Sequence, residues 1–251
     1  NMIRTFGTGT STTIANPDLA PETLRGWELG ADFASGPFAL NATYFVYDIS
    51  DMIATYTVQA NAANIPTQVL RICGPVTGGT FSNCNGASSV RYYTNDQDGR
   101  SSGFEVVGRW RASREVTVNA SYTYTDTVLT RRGSVVTDPL GVQLAGVPKD
   151  VAALGVAWVP VERLRTYAEL RYVGPMYYDT TSVANTTFQQ GGITVWNASA
   201  AWAWTKTVDL FANVVNLFDK QYSENTYNFN QPYNRTLSMP RAFNAGIRAR
   251  F

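Results

Sequence analysis

Nine side chains stand where they could capture a ligand. Tyr177, Tyr178, Phe188, Tyr227, Phe229 and Tyr233 lie among asparagines and glutamines in "GPMYYDTTSVANTTFQQGG" (174–192) and "SENTYNFNQPYNRTLSMP" (223–240), and Arg131, Arg132 and Arg235 lie in or beside such stretches. Aromatic faces stack and guanidinium groups give charge-assisted hydrogen bonds, which suits an anionic, partly aromatic metal chelate. The Asn, Gln and Tyr content equally suits a glycan or another polar nutrient, and loop aromatics also pack simply on one another.

Other chemistry is scarce. The 251 residues contain no histidine, which removes the commonest general base, metal ligand and haem ligand and rules out a Ser-His-Asp triad within the chain. Neither a CxxC nor a Cys/His cluster is present, so no zinc site is expected, and no cofactor. Cys73 and Cys84 lie in "RICGPVTGGTFSNCNG" and are expected to form a disulfide made outside the reducing cytosol. "FGTGTST" (6–12) has a lone Gly-x-Gly without a following helix pattern and is expected to be a flexible surface loop. "NDQDGR" (95–100) lacks the distal Glu of a calcium loop and is expected to be a bend. Lys plus Arg is 20 against 19 for Asp plus Glu, so no net field selects nucleic acid.

The elements that must position these loops show a period of two. In 115–125, Val116, Val118, Ala120, Tyr122 and Tyr124 alternate with Glu115, Thr117, Asn119, Ser121 and Thr123. Successive strand side chains face opposite ways, so this is an apolar face backed by a polar one. The same reading covers 23–34, 38–48, 103–112, 150–159, 164–173, 195–204, 207–216 and the tail from 243 to 251, about nine strands in all. Their charges fall almost wholly on the polar parity, Arg25 being the exception near a strand end. Facing hydrocarbon at mid-bilayer costs Arg or Lys ~2–4 kcal/mol.

Connection lengths separate a membrane barrel from a soluble sandwich. Short links at 35–37, 112–114, 160–163 and 205–206 alternate with long ones at 59–88, 130–147, 176–192 and 223–238. That is the up-and-down plan of an outer-membrane barrel, with tight periplasmic turns and long extracellular loops; Greek-key sandwiches have no reason to follow it. Trp110, Trp158, Trp204 and Phe33 sit beside short links, and Tyr122, Tyr124 and Tyr172 nearer the long ones, as interfacial aromatic girdles require. Mean hydropathy of -0.17 is no obstacle, because such a wall shows only half its residues to lipid.

The motifs carry a family resemblance. "NPDLAPETLRGWELGADF" (16–33), "GFEVVGRWR" (103–111), "GVPKDVAALGVAW" (146–158), "NVVNLFDKQY" (213–222) and "PRAFNAGIRARF" (240–251) resemble, in order, segments of TonB-dependent outer-membrane receptors. The resemblance implies an all-β, transmembrane, up-and-down antiparallel β-barrel of 22 strands plugged by an N-terminal globular domain. It implies active uptake of a scarce nutrient such as a ferric siderophore, energised through TonB, with no enzymatic step. A passive porin or, third, an outer-membrane enzyme are the competing readings.

Residues 1–251 are accordingly expected to be the C-terminal part of the barrel, with plug and earlier strands outside this sequence, since about nine strands cannot close such a wall. The location implied is the outer membrane of a Gram-negative bacterium, loops outward, with outer-membrane lipid, the TonB complex, the barrel assembly machinery and a small nutrient as partners. Asn244, Gly246, Ala249 and Phe251 also resemble the C-terminal signal by which such barrels are recognised for assembly.

Overall fold

The computed structural model describes residues 6–8, 10–133, 140–177, 189–226 and 235–250. Nine long strands account for most of it: β1 (Thr23–Ser35), β2 (Phe38–Gln59), β3 (Ser89–Arg111), β4 (Val116–Arg131), β5 (Asp150–Val161), β6 (Leu164–Val173), β7 (Ile193–Ala203), β8 (Val208–Val215) and β9 (Ala242–Ala249). β1 pairs with β2 and β2 with β3, and from there the order runs through β4 to β9 in chain sequence. The expected meander is therefore present, and β1 and β9 are its two edges among the described residues. No described helix is long and apolar enough to cross a membrane.

The chain divides into two compact units. The larger comprises Gly26–Val46, Ser101–Thr127 and Gln143–Phe251. Its strand register shows why the alternation matters. Val118, Val156, Ala168, Ala198, Val214 and Phe243 stand opposite one another in one row across β4 to β9. Leu164, Trp202, Leu210 and Ile247 form another. On the opposite parity Thr117, Ala157, Tyr167, Ser199, Asn213 and Asn244 form a polar row. The apolar parity is not packed away: Trp27, Leu29, Phe33, Trp158 and Trp204 are exposed, and Phe243 and Ile247 are 75% and 68% exposed. A continuous band of uncovered Trp, Leu, Ile and Phe is tolerable only against hydrocarbon. It follows that Ala198→Arg should lower stability by ~2–4 kcal/mol in urea titrations in micelles, while Ser199→Arg should change little.

The smaller unit comprises Asn1–Arg25, Tyr47–Arg100 and Val128–Val142. A transmembrane β-strand needs only ~9–11 residues, so β2 with 22 and β3 with 23 run well beyond one crossing, on the side of the long links. Two expectations are corrected here. "NDQDGR" is no bend: it lies inside β3, with Gln97 and Gly99 buried. "FGTGTST" is no flexible loop. Phe6–Thr8 pairs antiparallel with Ser11–Thr13, which adds in parallel to Ser89–Arg91 at the start of β3. Burial of Thr12, Thr13 and Ile14 supplies the reason.

The long link around the two cysteines holds a short helix, α1 (Thr67–Cys73), followed by paired segments Val76–Thr77 and Thr80–Phe81. Val69 and Cys73, one turn apart, face a core of Ile14, Val58, Phe81, Val90 and Tyr92. Gly74 ends the helix at φ 71°, its N–H bonding Leu70 O at 2.9 Å; a side chain there would also press on Ser82 and Asn83. Cys73 and Cys84 form a disulfide, Cα atoms 4.9 Å apart, across 11 positions. A closed loop of that size contributes about 3 kcal/mol by restricting the unfolded chain.

Candidate functional site

Arg131, at the end of β4, is engaged within the chain. Its Nε and one terminal nitrogen donate to Asp98 of β3 at 2.5 and 2.8 Å, and Asp51 of β2 lies 3.6 Å away. The pairing has a backbone cause. Asp51 sits at φ 58°, a conformation that Asp tolerates better than most residues, in the middle of β2. The irregularity there frees backbone groups that neighbouring side chains take up. Asp98 accepts from the Asp51 N–H at 3.0 Å, and Asn95 Nδ2 donates to Asp51 O at 2.7 Å.

The same network ties down the "NPDLAPE" segment. Asn16 donates to Tyr93 O at 2.9 Å; Asn95 accepts from the Ala20 N–H at 2.8 Å and donates to Ala20 O at 2.9 Å; Glu22 accepts from the Ile53 N–H at 2.8 Å. The motif is thus a strap sewn to β2 and β3 by side chains, because its two prolines cannot supply ladder N–H groups.

Arg131 holds the Asp98 carboxyl below the usual carboxylate range, chiefly through the hydrogen bond, and Asp98 in turn raises Arg131. A depressed native pKa means stability present above the unfolded value and lost as pH falls through the folded one. Protease sensitivity around 95–100 should therefore stay constant from pH 7 to 5 and rise only below about pH 4, the ordinary Asp range. Asp98→Asn should flatten that dependence.

Arg132 is exposed and likewise interacts within the chain. Of the other expected ligand residues, Tyr177 and Arg235 are placed only as backbone, in the pairs Met176–Tyr177 with Gln189–Gln190 and Ser223–Thr226 with Arg235–Leu237. Tyr178, Phe188, Tyr227, Phe229 and Tyr233 lie outside the described residues, as does Phe251. Among the described residues, no group of three or more acidic or Cys side chains could hold a metal.

The polar face of the wall carries its own network. Asp209 of β8, buried, accepts from Arg165 of β6 at 3.1 Å and from Arg250 beyond β9 at 2.8 Å. Arg165 reaches across β7 because that strand presents only Ala201 and Ala203 there. The Phe211 ring lies over Gly246, 2.8 Å from where a side-chain carbon would stand, and Arg248 lies 5.6 Å above the same ring. Gly155 is covered by Tyr167 in the same way.

Asn216, within "NVVNLFDKQY", has no chemical signature in the sequence, yet it is 2% exposed and at φ 52°. Its Nδ2 donates to Lys220 O at 2.9 Å and to Met239 O at 3.1 Å, and its Oδ1 accepts from the Lys220 N–H at 2.8 Å. Its own N–H donates to Asn197 Oδ1 at 3.0 Å. Asp219, at φ 53°, accepts from the Arg241 N–H at 2.8 Å. "NLFD" is thus a knot joining the end of β8 to the approach of β9. The Asn and Asp spacing, suited to left-handed turn positions, was the available signal.

A family model described as "TonB dependent receptor-like, beta-barrel" matches residues 2–217. The iron-regulated outer membrane virulence protein of Vibrio cholerae is 29% identical over 215 residues, covering 85% of this chain and 30% of that protein. Two solved structures share the fold. The ferric-catecholate import receptor Fiu from E. coli K12, in its closed form, matches with TM-score 0.67 and 19% identity over 98% of this chain and 30% of that one. The siderophore receptor PiuA from Acinetobacter baumannii matches with TM-score 0.63 and 22% identity over 90% and 28%. The chain therefore spans about 30% of the length of these relatives.

Proposed function

The chain belongs to the TonB-dependent receptor-like β-barrel family, and on that premise we propose that the protein containing it is an active importer of a ferric siderophore across the Gram-negative outer membrane, energised through TonB. The observation that carries the reading is the in-register apolar face exposed across the strands, which together with the family match makes the chain a segment of membrane wall rather than a soluble sheet. In this reading residues 1–251 form the C-terminal part of a 22-stranded plugged barrel.

The iron-regulated relative and the siderophore receptors of the same fold support the ligand class. The strands supply wall and lumen. The long links, including Tyr177, Tyr178, Phe188, Tyr227, Phe229, Tyr233 and Arg235, supply the ligand contacts, while Arg131 serves chiefly to hold β2, β3 and β4 together. The last strand, through Asn244, Gly246, Ala249 and Phe251, presents the barrel assembly signal. Deleting Phe251 should leave the protein out of the membrane fraction. No catalytic step is assigned to the chain.

The test is uptake of a radiolabelled ferric siderophore panel by iron-starved cells with and without the gene. Import of one member should depend on the gene and vanish on adding an uncoupler or removing TonB. Gene-dependent uptake that persists in uncoupled cells would identify a passive porin instead.

A further inference from the structure

The smaller unit contains a cavity of about 410 Å³ between the start of α1 and the outer half of β3, within the size range of small-molecule sites. Its polar wall is made by Asn64, Thr67 and Gln68 on one side and Thr94 and Asp96 on the other. Ile65 and Pro66 add apolar lining beside Asn64 and Thr67, and Tyr92 lines the cavity as well. A second, separate hollow of about 260 Å³ lies on the other side of Thr67 and Gln68 and is lined besides by Asn16 and by Asp18 and Arg71, which pair with each other.

The lining chemistry is selective. Two amides and two hydroxyls each offer donor and acceptor together, and the carboxylate offers acceptors alone. No Lys or Arg lines the larger cavity, so an anionic chelate entering it would lose hydration without a countercharge. A metal cation is disfavoured as well: Asp96 already accepts from Tyr56 Oη at 2.9 Å, and the described residues offer no cluster of metal ligands. Neutral hydroxyl groups fit, because each both donates and accepts, and a ring bearing them has C–H faces for the apolar Ile65 and Pro66.

The site is also held ready. Val69 and Cys73 anchor α1 in the unit's core, the disulfide ties the end of the helix, and Tyr92 is packed against Tyr56 with ring centroids 5.7 Å apart. Burial, with Asp96 beside it, pushes the Tyr92 hydroxyl up to about 12, so it remains a neutral donor. A preformed polar cavity binds without ordering its own walls first.

We propose that this cavity binds a neutral, hydroxyl-rich sugar ring, a ligand class distinct from the anionic chelate assigned to the transport route. Two sources share that chemistry: free oligosaccharides and the sugars of outer-leaflet glycolipid.

The experiment uses the full-length receptor purified in detergent. One arm probes an array of soluble neutral and acidic oligosaccharides; the other measures binding to nanodiscs with or without lipopolysaccharide of neutral core sugars. Saturable binding to a neutral saccharide in either arm, with Kd of about 1 mM or tighter, is expected. Gln68→Ala and Asp96→Asn, each first shown to migrate as folded barrels on unheated gels, should weaken it about tenfold or more. Absence of saturable binding in both arms overturns the proposal. So does binding that both variants leave unchanged, or a preference for acidic sugars. The readout involves no uptake, so its failure leaves the transport reading standing, and failure of transport leaves this site standing.

Discussion

Gly103→Val should leave the barrel unable to assemble. Gly103 lies in β3 where that strand meets β4, and a side-chain carbon there would run into the carbonyl oxygen of Tyr124. The Tyr124 carbonyl carbon and Phe45 Cζ would each be 2.9 Å away. The first obstacle is backbone, so no rotamer change relieves it, and the strands would have to part where their ladder holds both. Overpacking in a yielding core costs ~1–3 kcal/mol; against a hydrogen-bonded backbone the cost exceeds that range. The measurement is the folded fraction on unheated gels and in protease-protected membranes. Gly108→Ala on the same strand is the control, since its new carbon would meet only Leu40 Cδ1, at an ordinary 3.6 Å. That variant should assemble fully and lose none of its stability, because alanine in a strand is favoured over glycine by roughly 0.5–1 kcal/mol. Normal assembly of Gly103→Val would show that β3 and β4 do not approach as described.

Asn216→Ala should be the most damaging loss of a polar side chain. Three hydrogen bonds vanish at once, and the Lys220 N–H and the Lys220 and Met239 carbonyls lose the buried amide that joins them. Each lost hydrogen bond costs ~0.5–1.5 kcal/mol, and alanine at φ 52° adds ~1–2 kcal/mol. A total on the order of 4 kcal/mol is expected, from urea unfolding of the full-length protein in micelles. Asn216→Gly relieves the backbone part and should recover part of the loss. Asn216→Asp keeps the acceptor for Lys220 N–H but turns a carboxylate toward two carbonyls, so it should be as damaging as alanine. If all three variants unfold with the wild type, the knot between β8 and β9 does not contribute to stability.

Both residues were visible in the sequence without their roles. Gly103 opens "GFEVVGRWR" and Asn216 sits within "NVVNLFDKQY". What makes each critical is a partner 20 or more positions away: Tyr124 for Gly103 and Met239 for Asn216. The same holds for Arg131. Its place beside a long link suggested a cation open to a ligand, yet Asp98, 33 positions earlier, takes two of its donors. Helix α1 escaped notice for a local reason. With 7 residues between Pro66 and Gly74, it is too short to show a periodic stripe, and it is held by buried Val69 and Cys73, by Ile72 packed beside them and by the disulfide.

Other features were settled by the residues alone. The two faces of every strand, the places of the aromatic girdles and the alternation of short and long links all follow from a period of two, which is a property of the extended backbone at each residue. Those features decided that the chain is membrane wall, which face meets lipid and which end carries the loops. The tertiary structure decided which position meets which. Asp209 gathers Arg165 and Arg250 across β7, Phe211 covers Gly246, and residues 11–22 bind along β2 and β3 instead of waving free. Register is set by the summed fit of a whole strand against its neighbour. No single stretch of sequence contains that sum.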